Sequence, residues 1–183
     1  MSLTPQEAAE ALKDITRTER RSGASLGYQM AWPHLVLWGA IWAIGYGAMA
    51  LHMKWDPLWG ALSLAGTVGS FVIGYSMARG RTKTFDWRYA ASFFAVFAFV
   101  TALFVILPPK SDIQFGAFFP ILVALYYALV GIWTRGLRML ILGVLLALCT
   151  LAAFLHARDQ FMAIMAFVGG GGLILGGLWL RSA

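Results

Sequence analysis

The chain has 183 residues, of which 60% are hydrophobic and only 12% charged. A soluble domain carries about 25% charged residues, and a globule this small has too little interior to hide so much apolar surface. The proportions exclude a water-soluble fold, and the net charge of +6 is scattered over short segments with no basic domain of the kind that binds nucleic acid.

In chain order, residues 1–31 come first, as a cytoplasmic amphipathic helix and linker. Residues 4–22 read TPQEAAEALKDITRTERRS. Thr4 caps a helix, Pro5 suits its first position, and Glu7 completes a capping box. Acids lead (Glu7, Glu10, Asp14) and cations trail (Lys13, Arg17, Arg20, Arg21), which complements the helix dipole. Gly23 is the expected stop. No apolar core is present, so this is not a cleaved signal. A thin stripe of Ala8, Ala11, Leu12 and Ile15 could dock on a cytoplasmic partner or lie on anionic lipid. The stripe is narrow and has no aromatic residue, so the plainer reading is a solvated helix that orients the first span.

Residues 32–183 form the membrane domain. A spanning helix needs about 20 mostly apolar residues. Six segments qualify: 34–52, 58–78, 89–107, 115–134, 138–156 and 161–180. In the first, Trp38 and Trp42 lie four apart, as a packing or lipid-facing ridge. In the second, Ser63, Thr67, Ser70 and Gly74 make a small-residue face for a neighbouring helix. The fourth holds Pro120, a predicted kink, followed by Tyr126 and Tyr127. The fifth holds the lone Cys149, which excludes an internal disulfide. The sixth holds GGGGLILGG, residues 169–177, where Gly172 and Gly176 make a GxxxG pair. That pair suits packing within one subunit, a homo-oligomer interface, or a locally broken helix beside a substrate path. Trp32, Trp55, Trp59, Trp87, Trp133 and Trp179 fall near span ends, at headgroup level.

Two short words punctuate the chain. KWDPLWGA (54–61) returns 56 residues later as KSDIQFGA (110–117), and Arg79-Gly80 returns at the same offset as Arg135-Gly136. Arg158-Asp159 and Arg181-Ser182 are a looser third copy. These are the turns of three α-hairpins, with the acid-bearing turns outside and the arginine-bearing returns inside. Eleven of the fourteen lysines and arginines fall on the tail's side of that layout. The positive-inside rule then puts both termini in the cytoplasm, across a bacterial inner membrane. The expected fold class is an all-α membrane protein of six transmembrane helices in three hairpins.

No span contains an Asp, Glu, Lys or Arg in its interior, which argues against a proton-coupled carrier or a voltage sensor. The concentrated ionisable set is on the outer side: His52 and Asp56, then His156 and Asp159. If the hairpins cluster, these four could hold Zn²⁺ or a similar ion, with Asp112 near. Their spacing matches no named metal motif. Interface histidines beside ordinary turn acids are the plainer reading, and no organic cofactor is implied. No G-x-S-x-G nucleophile is present.

This layout of three glycine-rich hairpins with little outside the membrane resembles, in general outline, the six-span proteins of the HdeD acid-resistance type. No motif is specific to that family. The expected function is non-enzymatic. The protein would pack with itself or with partner membrane proteins, in an envelope-stress or accessory-subunit role. The alternatives are a small oligomeric transporter or channel, and a metal-dependent membrane hydrolase using the outer His/Asp set.

Overall fold

The structure, a computed structural model, describes residues 5–53, 56–78 and 87–182. The side chains of 5–24, 26, 56, 78, 87–90, 92 and 93 lie outside that description. So do the apolar stripe of the tail, the Asp56 carboxyl, Lys54, Trp55 and the cations between residues 79 and 88.

Every described element is helical: α1 (Pro5–Ala50), α2 (Asp56–Ala78), α3 (Trp87–Ile106), α4 (Asp112–Thr134) and α5 (Leu137–His156). A 3₁₀ turn, Arg158–Gln160, leads into a last continuous stretch. It comprises α6 (Phe161–Ile164), a π-helical segment (Met165–Gly171) and α7 (Gly172–Arg181). Four stretches are long and apolar enough to cross a membrane: Pro57–Met77, Asp112–Thr134, Leu137–His156 and Arg158–Arg181. α3 contributes a shorter apolar helix, Phe94–Ile106, within the described side chains.

The tail helix does not stop at Gly23. α1 runs unbroken from Pro5 to Ala50, through Gly23, Gly27 and Pro33. An interior glycine costs only about 1 kcal/mol relative to alanine. Helix already formed on both sides propagates across it, because each added residue gains a hydrogen bond.

α1 and α4 end in the same way. The His52 and Met53 amides donate to the Met49 and Ala48 carbonyls, both at 3.0 Å. The Arg135 and Gly136 amides donate to Ile132 and Gly131 at 3.3 and 2.8 Å. This is the Schellman pattern, whose left-handed residue is usually glycine. Here it is His52 and Arg135, each with φ 54°. α4 starts on the word KSDIQ: Ser111 Oγ accepts from the Gln114 amide at 3.2 Å, and Gln114 Oε1 accepts from the Lys110 amide at 2.6 Å. The second charged word is thus a helix-start signal.

Packing does not follow hairpin order. The two closest pairings are α4 with α5 and α1 with the last stretch. α2 rests on α1, and α3 makes no extensive packing among the described residues. Phe104 meets Phe115 and Phe118 of α4 at 5.7 and 4.8 Å. Sequence adjacency decides that neighbours run antiparallel. Glycine decides which of them approach closely. A side chain at Gly39 would fall 2.8 Å from the Gly170 carbonyl, and one at Gly170 would fall 2.5 Å from the Ala43 nitrogen. Gly143 stands against the Ala124 carbonyl, and Gly131 against the backbone of Leu140.

The expected packing residues divide. Gly176 sits against Leu142, but Gly172 and Gly74 have nothing within 4 Å of where a Cβ would lie. The glycine run offers several overlapping registers. The one that meets α1 is Gly170 with Gly177, not Gly172 with Gly176. Thr67 folds its hydroxyl back onto the Ser63 carbonyl at 2.8 Å, as threonine does on helices. Ser70 reaches α1, and Ser63 lines a groove described below. α2 also closes on α1 at Gly66, under Ile41 and Trp38, and at Gly69, under Leu37.

The contacts define two ends. At one, here the near end, the Tyr28 hydroxyl accepts from the Arg138 amide at 3.3 Å. There the Arg138 guanidinium donates to the Trp179 carbonyl at 2.6 Å, and the Arg181 guanidinium lies 5.0 Å above the Trp32 ring. At the far end lie the end of α1, the start of α4 and the α5–α6 turn, where Gly116 meets Tyr46, Phe161 and Met162.

Candidate functional site: an aromatic groove

The site begins with a proline. In an α-helix the amide of residue 120 would bond the carbonyl of residue 116. Pro120 has no amide proton, so the Gly116 carbonyl is released inside a buried part of α4. A buried carbonyl without a partner is costly. Tyr46 of α1 supplies the partner, its hydroxyl donating to Gly116 at 2.5 Å.

Around Tyr46 stands an aromatic ladder. Trp42 meets it edge-on at 5.9 Å and 82°, and Trp59 of α2 at 5.3 Å and 67°. The Trp59 ring occupies the space over Gly45, where any side chain would collide with it. Nearer the Tyr28 end, the Trp38 indole donates to Ser70 Oγ of α2 at 3.1 Å. Trp38 and Trp42 are therefore a packing ridge.

These contacts hold α2 to α1 without bringing it onto α4. Between them is a groove of about 700 Å³. α1 forms its floor through Ala31, His34, Trp38 and Trp42. Trp59 and Ser63 form one wall; Phe119, Val123 and Tyr127 form the other. Small-molecule sites run from about 300 to 1,000 Å³ and are mostly apolar with a few polar groups, and this groove has that character. His34 is half-buried and lies at the near end. The arrangement can hold an elongated apolar group. Among the residues that line it, no acid and no cysteine stands beside His34.

Of the four residues expected to hold a metal, three are described with their side chains. His52, His156 and Asp159 are exposed at the far end, and the Asp56 side chain lies outside the described residues. Among the described residues, no group of three or more His, Cys, Asp or Glu side chains gathers. The structure gives His52 another part, as the left-handed residue that closes α1.

Sequence reasoning missed the groove. Its signals were present as the Trp38–Trp42 ridge and the Tyr126–Tyr127 pair. Nothing in a linear pattern shows that α2 and α4 diverge. No family model, no curated protein and no solved structure matches the chain.

Proposed function

We propose that this is a six-span protein of a bacterial inner membrane, with both termini cytoplasmic, that works without catalysis by associating laterally with a second copy or a partner membrane protein. One contrast carries the reading. Only 6% of the spanning window of α2 is buried, against 44% of the last stretch. The described side chains of α3 are also mostly exposed, among them Phe97, Phe99 and Val105. Among the described residues, α2 and α3 thus take little part in internal packing. The glycine-rich stretch, in contrast, packs closely on α1 at Gly170 and Gly177. The near end carries Arg135, Arg138 and Arg181, in keeping with a cytoplasmic face.

The test is crosslinking in native membranes with Cys149 replaced by alanine. Single cysteines at Leu64 or Phe97, on the bare faces of α2 and α3, are expected to give a discrete dimer or one defined heteromer. A cysteine at Leu148, exposed on α5, serves as the control. Monomer at all three positions would remove this reading.

A further inference from the structure

The groove has a shape, an opening and a polarity that together select a ligand. Its floor and walls are apolar and aromatic over the length from His34 to Trp59. It opens sideways, because α2 and α4 flank it without packing on each other extensively. In a bilayer that opening faces lipid, so a ligand enters from the membrane. The two ends differ in charge. At the far end the described carboxylates, Asp112 and Asp159, stand beside the cations Lys110 and Arg158, so charge there is balanced. His34 and the cations Arg135, Arg138 and Arg181 are at the near end.

We propose that the groove is a binding site for one anionic phospholipid, with a hydrocarbon chain along Trp38, Trp42 and Trp59 and the phosphate at the near end beside His34. Aromatic rings offer flat, rigid surfaces to a methylene chain. The near-end guanidinium groups favour a phosphate at the membrane surface, and basic pockets between spanning helices are known lipid sites. The chain supplies burial and the phosphate supplies direction. This site is on the inner side of α2, so it is separate from the outer faces proposed for lateral association.

Native mass spectrometry of the full chain tests it. The protein is incubated in detergent with phosphatidylglycerol, with phosphatidylcholine or diacylglycerol of the same chains, or with glycerol phosphate. One phosphatidylglycerol per chain is expected to survive, at least tenfold more than either other lipid, and glycerol phosphate is expected not to bind. Val123→Trp and Ala31→Trp fill the groove and should cut retention about tenfold, while Leu148→Trp on the outer face of α5 leaves it unchanged. Equal retention of the three lipids by the wild type would overturn the site. Wild-type retention in a groove-filling variant that still unfolds cooperatively would do the same. Binding of glycerol phosphate alone would also overturn it, by placing the anion outside the groove. Should both filled variants fail to fold, the wild-type lipid comparison decides.

Discussion

The Tyr46 hydroxyl donates to the Gly116 carbonyl, 70 positions along the chain, and that acceptor is free because residue 120 is proline. Three residues thus form one device: a proline that breaks a helix bond, a carbonyl set free, and a phenol from another helix that takes its place.

Removing the phenol leaves the carbonyl bare. Tyr46→Phe should destabilise the protein by about 1 kcal/mol, the scale of interhelical hydrogen bonds in membranes, and at most about 3 kcal/mol if the carbonyl stays dry. Restoring an amide with Pro120→Ala should make the same change nearly neutral. Reversible unfolding in mixed micelles of rising SDS content measures the cycle. Additive losses would mean that Tyr46 and Pro120 act separately.

Glycines in the same run should respond in opposite ways. Gly170→Ala puts a methyl 2.5 Å from the Ala43 nitrogen, with backbone on both sides. Overpacking of this kind costs about 1–3 kcal/mol. Gly172→Ala, two residues on, meets open space and should be neutral or stabilise by up to about 1 kcal/mol through helix propensity. The same unfolding assay compares them, and equal effects would contradict the assigned register.

Left-handed residues give a third comparison. A non-glycine residue there is strained by roughly 1–2 kcal/mol. Arg135→Gly should therefore raise the unfolding midpoint. At His52, asparagine should be tolerated and isoleucine should lower stability by about 1–2 kcal/mol, since a β-branched side chain suits φ 54° poorly. If isoleucine is harmless, the turn does not depend on residue 52.

Thiol accessibility checks the crossings. In a Cys149→Ala background, cysteines at Asp112 and Asp159 should be labelled from one face of the membrane. Cysteines at Arg135 and Ser182 should be labelled from the other. Labelling of Asp112 and Arg135 positions from the same face would rule out the alternating arrangement.

Much of the layout was legible because the bilayer makes it so. Apolar runs and charged turns mark α2, α4, α5 and the last stretch to within a few residues. The words KSDIQ and Arg135-Gly136 mark where α4 begins and ends. Pairing was not legible. Small residues occur on several faces of the last stretch, and only three-dimensional fit selects Gly170 and Gly177 for α1. The role of Pro120 was half legible. The loss of one backbone hydrogen bond in α4 follows from proline alone, but the identity of the distant phenol that replaces it does not. The groove was beyond sequence altogether, since it depends on two helices failing to meet.

The partnership of α1 with α7 has a consequence for how the molecule is made. On a ribosome, α1 emerges first and α7 after every other described helix. Until then the flank of α1 that receives Gly170 and Gly177 has only lipid or the insertion machinery beside it. Closure of the bundle must therefore wait until α7 has been made, and a product stalled before α7 would present that flank to quality-control proteases.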